Sequence, residues 1–260
     1  MKNLLSERYR EMKMVVIVTG GIVMRLFLCG GGSGEQTSEA IQRLNEIINN
    51  NKPILYVPLA MDEVKHPYED CFEWIKDELK SVSVPYIEMV RTFQELESKN
   101  YYEYSALFIG GGNTFKLLKG LKETRCFEKI KEYIDNDGIV FGGSAGAIIF
   151  GEDINTCRFA DKNEVGLLDT KGFNALNGIS LLCHYTNQNA ERTKINTDYL
   201  TGVSKDRKII ALPEEDTMFI NVKSIEIIGT RPYYEFENGI RIRRLPYKEE
   251  SDEIRLPGHR

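Results

Sequence analysis

The stretch Ile139-Val-Phe-Gly-Gly-Ser144-Ala-Gly-Ala-Ile-Ile-Phe150 places a Gly-Gly-Ser-Ala-Gly turn between two apolar runs. An apolar run that enters such a turn and leaves as another predicts a strand, a sharp turn and a helix. Gly142 and Gly146 flank Ser144 with the G-x-S-x-G spacing of a nucleophile elbow, in which glycines allow a strained turn to close. This turn would lift the serine hydroxyl above the sheet edge and leave the N–H of Ala145 free to bind an oxyanion.

Composition and charge are those of an ordinary globular protein. The chain has 260 residues, of which 42% are hydrophobic and 28% charged, enough to bury the core of one domain. A net charge of −5 with scattered basic residues predicts neither a nucleic-acid nor a membrane partner. The five cysteines are widely spaced without a C-x-x-C pair, which predicts reduced thiols, no metal site and a cytoplasmic location.

The N-terminal residues 1–23 are predicted to be an extension outside the domain. A polar, basic start followed by an apolar run copies the layout of a signal peptide, but the run contains Gly20-Gly21, lacks a small-residue cleavage site and is too short to span a bilayer. We expect Met24, rather than Met1, to be the natural start. A single α/β domain is expected over residues 24–247, followed by a charged tail over 248–260.

From Met24 onward, short apolar segments alternate with amphipathic ones, which predicts an α/β fold. The predicted strands are Leu26–Cys29, Ile54–Pro58, Tyr86–Val90, Ala106–Ile109 and Ile139–Phe141. The predicted helices are Glu39–Asn49, Tyr68–Leu79, Thr114–Leu121 and Phe127–Asn136. Nearly continuous apolar strands predict a mostly parallel sheet with helices on both faces. Later apolar segments, joined by short turns, predict antiparallel strands that extend this sheet: Ile209–Leu212, Met218–Val222, Ile225–Ile228 and Tyr233–Phe236.

Two glycine-rich loops follow predicted strands, where sites form in open α/β sheets. Gly30-Gly-Gly-Ser-Gly34 lacks the G-x-G-x-x-G spacing and the Gly-Lys-Ser/Thr ending of phosphate-binding loops, which argues against nucleotide binding. The second loop is Gly110-Gly-Gly-Asn-Thr114. It is either only a tight βα turn, or a turn in which the N–H of Gly111 or Gly112 supplies the second hydrogen bond to an oxyanion. Its combination with the Ser144 elbow favours the second interpretation.

A serine nucleophile needs a base, usually a histidine oriented by a carboxylate. The chain has three histidines. His66 precedes a proline well before the elbow, and His259 lies near the end of the chain. His184 ends the apolar segment Leu181-Leu-Cys-His-Tyr185, where a strand-end base would project into the cleft. The pattern therefore favours His184.

These motifs resemble the peptidase E and cyanophycinase family of serine hydrolases, over roughly Met24 to Gly239. The motifs are Phe108-Ile-Gly-Gly-Gly-Asn-Thr114, Gly142-Gly-Ser-Ala-Gly-Ala147, Cys183-His-Tyr185 and Leu212-Pro-Glu214. The resemblance implies a class I glutamine amidotransferase-like, flavodoxin-like α/β fold with a mostly parallel sheet. It also implies a serine-type exopeptidase, without a cofactor, that cleaves short peptides, N-terminal aspartyl peptides among them.

The resemblance also implies residue roles. Ser144 is the nucleophile, His184 the base and Glu214 the orienting acid. The oxyanion hole is Gly111 or Gly112 with Ala145. Asn113 and Arg192 are the expected substrate-binding residues, and Arg192 is chosen because it is among the cations closest to His184 along the chain. Other acids that could support the base are Asp153, Asp161, Asp169 and Asp216.

Two other functions remain open from the sequence. An α/β-hydrolase esterase would use Ser144, Asp216 and His259, which have the right chain order, but the triple glycine follows Ile109 and not the histidine of that motif. A non-catalytic domain on the same scaffold would bind a small ligand in the cleft. The expected partner is a short peptide, and the chain could form a homodimer.

Overall fold

The computed structural model describes residues 24–221 and 224–246. Within them the strands are β1 (Arg25–Cys29), β2 (Ile54–Val57), β3 (Ile87–Met89), β4 (Ala106–Ile109), β5 (Ile139–Gly143), β6 (Ile179–Leu182), β7 (Lys208–Ala211), β8 (Thr217–Asn221), β9 (Ser224–Ile228), β10 (Tyr233–Glu237) and β11 (Ile240–Arg244). The α-helices are α1 (Ser38–Ile47), α2 (Tyr68–Glu78), α3 (Phe93–Ser98), α4 (Thr114–Glu123), α5 (Cys126–Asp135), α6 (Ala145–Ile148) and α7 (Ala190–Val203). The predicted extension 1–23 and the predicted tail 248–260 lie outside the described residues.

The main sheet has seven strands in the order β3-β2-β4-β5-β1-β8-β9, and β1 to β5 run parallel. Strand β1 illustrates how the main sheet packs against apolar side chains on both of its faces. Its Leu26 and Leu28 belong to one buried hydrophobic cluster, and Phe27 and Cys29 belong to a second. Because successive side chains of a strand point to opposite faces, the sheet has an apolar core on each side. The predicted α/β class with a mostly parallel sheet is confirmed.

The C-terminal strands divide between two sheets. Strands β8 and β9 extend the main sheet in antiparallel fashion, as predicted. The prediction that Ile209–Leu212 and Tyr233–Phe236 also extend it is wrong, because β7 and β10 belong to a four-stranded sheet of order β11-β10-β7-β6. Phe236 of β10 packs edge-on against Tyr185, with ring centroids 5.7 Å apart, so this second sheet buries its own apolar side chains.

No helix in the described part of the chain is long and apolar enough to span a membrane. All five cysteines are buried, free thiols.

Candidate active site

Ser144 occupies the turn between β5 and α6 and has a strained backbone. Its φ of 51° and ψ of −111° are uncommon for a residue other than glycine, and such strain costs about 1–3 kcal/mol. The turn is held by the Ser144 N–H, which donates to the carbonyl oxygen of Cys29 at 3.1 Å. It can close because the flanking residues lack side chains: a Cβ on Gly142 would lie 2.2 Å from the carbonyl oxygen of Gly146. The structure therefore has the tight turn that the G-x-S-x-G spacing predicts.

His184 follows β6 and connects Ser144 to Glu214. Its Nε2 lies 2.8 Å from Ser144 Oγ, and its Nδ1 lies 2.8 Å from Glu214 Oε1. A carboxylate only accepts hydrogen bonds, so Nδ1 carries the ring proton and Nε2 is left to accept the serine proton. The main-chain N–H of His184 donates to the carbonyl oxygen of Gly30 at 2.9 Å, which anchors the histidine to the first glycine-rich loop.

Glu214 is held by main-chain and side-chain contacts after β7. Its carbonyl oxygen accepts the N–H of Gly32 at 3.1 Å, and its N–H donates to Asn187 Oδ1 at 2.9 Å. The amide of Asn187 also donates to Glu215 Oε2 at 3.1 Å. Asn187 therefore links the segment after His184 to the acidic turn, a role that sequence reasoning missed because no motif marks it.

The loop from Gly30 to Gly34 packs against this constellation. Gly31 has a φ of +112°, and a Cβ built on it would lie 2.1 Å from Cε1 of His184. A Cβ on Gly30 would lie 1.8 Å from the carbonyl oxygen of Pro213. Glycine is thus required where the loop contacts the histidine and the turn that carries Glu214.

Three backbone N–H groups are available for an oxyanion. Within the described residues, the N–H groups of Gly111, Gly112 and Ala145 have no hydrogen-bond partner. A Cβ on Gly111 would lie 3.2 Å from the Cβ of Ser144, so this glycine is adjacent to the serine. Gly112 instead packs against the main chain of Ala60, where an added Cβ would lie 2.4 Å from the carbonyl oxygen. Gly111 is therefore better situated than Gly112 to act with Ala145.

The alternative acids are engaged elsewhere, and none of them hydrogen-bonds to His184 in the described structure. Two of them form ion pairs: Asp153 with Arg207 at 3.1 Å, and Asp169 with Lys122 at 2.7 Å. The other two accept backbone N–H groups: Asp161 from Thr114 at 2.8 Å, and Asp216 from Arg231 at 3.1 Å. The histidine of the esterase arrangement, His259, lies outside the described residues.

The structure does not bring the two predicted substrate-binding side chains into the cleft. Asn113 caps α4, with Oδ1 accepting the N–H of Lys116 at 2.9 Å and Nδ2 donating to the carbonyl oxygen of Lys162 at 2.8 Å. Arg192 is exposed in the first turn of α7 and does not line the cleft. Proximity to His184 along the chain was the basis for choosing Arg192, and the helix directs the chain away.

A cleft of about 440 Å³ opens beside Ser144 and His184. Both glycine-rich loops contribute to its lining. Aromatic side chains of Tyr56, Trp74 and Phe108 form a wall, and Asp70, Glu78 and His66 also line the cleft. Ser144, His184 and the glycines of the second loop line this cavity, and Glu214 binds the far nitrogen of the histidine. A nucleophile, a base, an orienting acid and free N–H donors are the parts of a serine hydrolase.

Comparison with known proteins agrees with this chemistry. The sequence matches Peptidase family S51 over residues 26–228. Peptidase E of a Nostoc species is 27% identical over 197 residues, which cover 72% of this chain and 77% of that protein. Peptidase E of Shewanella denitrificans is 26% identical over 213 residues, which cover 79% of this chain and 86% of that protein.

Two solved structures share the fold. A protein of Listeria monocytogenes EGD-e assigned to peptidase E superposes with a TM-score of 0.64 at 23% identity, covering 80% of this chain and all of that one. A peptidase from an acI-B1 actinobacterium has a TM-score of 0.64 at 16% identity, covering 88% of this chain and 97% of that one. The family expected from the motifs is confirmed: the chain belongs to peptidase family S51 and is a serine-type peptidase.

Proposed function

We propose that this chain is an exopeptidase that hydrolyses short peptides through an acyl-enzyme on Ser144. The observation that carries the proposal is the continuous contact from Ser144 Oγ through the two ring nitrogens of His184 to Glu214, each step 2.8 Å. The serine also sits in a strained turn, the arrangement expected of an exposed nucleophile.

The geometry supports a two-step reaction. Ser144 Oγ attacks the peptide carbonyl while His184 Nε2 takes its proton, and Glu214 stabilises the imidazolium that forms. The N–H groups of Ala145 and Gly111 bind the oxyanion, and each such donor contributes about 2.7–4 kcal/mol in serine peptidases. The imidazolium protonates the leaving amine, and water activated by the same histidine then hydrolyses the acyl-enzyme.

The size of the cleft supports a short substrate. About 440 Å³ lies within the range of small-molecule pockets. The relatives named Peptidase E support the same substrate class. A cytoplasmic location, a homodimer and the absence of a nucleic-acid partner remain predictions from composition, charge and resemblance.

A fluorophosphonate probe tests the nucleophile directly. We expect the probe to label the purified protein on Ser144, and Ser144→Ala to abolish labelling. Ser33 also lines the cleft, so Ser33→Ala is the matched control and should label normally. A protein that takes no label at Ser144 would support the non-catalytic binding domain instead.

A further inference from the structure

The lining of the cleft beside Ser144 includes two carboxylates but neither lysine nor arginine, as far as the described residues extend. Both carboxylates come from helix α2, which contributes Asp70 and Glu78. With Trp74 between them, they recur at intervals of four residues, and residues so spaced lie on one face of a helix. One face of α2 thus presents acid, aromatic ring and acid to the cleft.

The acids of α2 differ in how their charge is balanced. Those outside the cleft lining each pair with a cation: Glu69 with Arg91 at 2.8 Å, Glu73 with Lys76, and Asp77 with Lys80 at 3.0 Å. The two acids in the cleft have no cationic partner in the described structure. Asp70 is exposed and its carboxylate has no partner among those residues, whereas Glu78 accepts the N–H of Gly34 at 2.8 Å and the hydroxyl of Thr37.

The aromatic wall offers a second, independent sign of a ligand. Tyr56 is only 2% exposed and lines the cleft, yet its hydroxyl has no hydrogen-bond partner in the described part of the chain. Trp74 is 41% exposed despite its size. The centroid of its ring lies 6.5 Å from the ring centroid of Tyr56 and 6.2 Å from that of Phe108. A tyrosine hydroxyl without a protein partner, beside an exposed indole in the same lining, fits a side chain that enters from solvent.

We propose, on the basis of the acyl-enzyme function above, that this cleft selects a peptide whose attacked carbonyl belongs to lysine or arginine. The aliphatic stem lies along Trp74, where a cation is also attracted to the ring face, and the charged head meets Asp70. An acidic side chain would meet two carboxylates and neither lysine nor arginine, with only the imidazole of His66 besides that of His184 in the lining. Its entry is therefore unfavourable, contrary to the N-terminal aspartyl substrates that the resemblance implies. The chemistry being recognised is an ammonium or guanidinium group.

Dipeptide kinetics test the proposal. The specificity constant kcat/KM is measured for Lys-Leu, for Met-Leu as an uncharged substrate of similar length, and for Glu-Leu. We expect Lys-Leu to exceed Met-Leu by about tenfold, as for one charge-assisted contact, and Glu-Leu to be the poorest. Preference for Glu-Leu, or equal rates for all three, overturns the proposal.

Two variants of α2 make the test specific to the cleft. Asp70→Asn should lower kcat/KM for Lys-Leu by about two- to fivefold and leave Met-Leu nearly unchanged. Asp77→Asn removes the same charge from the same helix outside the cleft and should change neither substrate. Equal effects of the two variants would mean that net charge, and not the cleft, determines the preference.

The α-ammonium of the peptide is the other source of a substrate cation. Lysine and methionine esters with acetylated α-amines separate the two sources, because only the side-chain charge remains. A retained lysine preference supports the proposal, and its loss overturns it in favour of N-terminal recognition.

If Ser144 takes the fluorophosphonate label but Glu-Leu is preferred, this inference fails alone. If neither labelling nor hydrolysis occurs, the proposed function fails with it.

Discussion

Gly31 and His184 are in direct contact: a Cβ placed on Gly31 would lie 2.1 Å from Cε1 of the imidazole ring. Ser144 and Glu214 bind the two ring nitrogens of His184, and the glycine occupies the space beside its edge. The ring is thus constrained on three sides by segments that are distant along the chain. A side chain at Gly31 would displace the ring from Ser144.

We predict that Gly31→Ala lowers kcat by about 100-fold, because a displacement of about 1 Å at a catalytic group has effects of that order. Gly34→Ala is the matched control in the same loop. Gly34 also has a positive φ, of +59°, but no atom lies within 4 Å of its added Cβ. Steady-state kinetics and circular dichroism of both variants check the prediction. If Gly34→Ala lost as much activity, backbone strain rather than contact with His184 would be responsible.

Ser144 and His184 should behave as one unit in mutant kinetics. Ser144→Ala and His184→Ala should each lower kcat by about 10⁴-fold or more, and the double variant should be hardly worse than either. His259→Ala, the base of the esterase alternative, should be nearly silent. Losses that multiply in the double variant would contradict a shared step.

Strand locations could be predicted from the sequence where burial alone determines them. Strands β2 and β4 are buried throughout, and β1 is buried from Leu26 onward, so their apolar runs identify them directly. Helix α7 was missed because only Asn196 and Leu200 are buried, which leaves no apolar periodicity to detect. The sheet to which β7 and β10 belong depends on contacts with distant strands, which a local pattern does not contain.

The residues of the candidate site also fall into those that a local motif identifies and those that only tertiary contacts identify. Ser144 and His184 lie at strand ends within short motifs, so sequence reasoning could select them before any geometry was known. The parts played by Gly31 and Asn187 depend on where separate segments meet in space. Arg192 was selected because it is close to His184 along the chain. Helix α7 begins between these two residues, so closeness in sequence does not bring Arg192 to the cleft.

Gly111 provides a test of the oxyanion hole. Gly111→Val should lower kcat more than it raises KM, because the oxyanion forms only on the way to the transition state and the new side chain would lie against Ser144. Gly143→Ala is the control, since no atom lies within 4 Å of a Cβ at that neighbouring position. An unchanged kcat for Gly111→Val would remove this loop from the mechanism.

Asn187 should affect catalysis through Glu214. Asn187→Ala removes the acceptor for the Glu214 N–H, so we expect kcat to fall by about tenfold with little change in KM. The rate of fluorophosphonate labelling at Ser144 should fall in parallel, because it depends on the same histidine. Glu215→Ala removes the outer partner of Asn187 and a 3.8 Å ion pair with Arg231. It leaves the acceptor for the Glu214 N–H in place, so it should have a smaller effect. A change confined to KM would indicate a role in substrate binding instead.

Asp216 should make stability depend on pH. It is fully buried, one of its carboxylate oxygens has no hydrogen-bond partner in the described structure, and burial raises the pKa of this group to about 7. An unfolded aspartate ionises near pH 4. Between about pH 4 and 7 the folded protein therefore binds more protons at this residue than the unfolded chain, and stability falls as pH rises through that window.

The Asn side chain of Asp216→Asn stays neutral and keeps an acceptor for the Arg231 N–H. The stability of this variant should therefore not fall as pH rises through that window. Relative to the parent protein, its free energy of unfolding should rise between pH 4 and pH 8 by on the order of 2–4 kcal/mol. Urea unfolding at several pH values measures the difference, with the exposed Asp206→Asn as control. A difference that stays constant with pH would mean that Asp216 is ionised in the folded protein throughout this range.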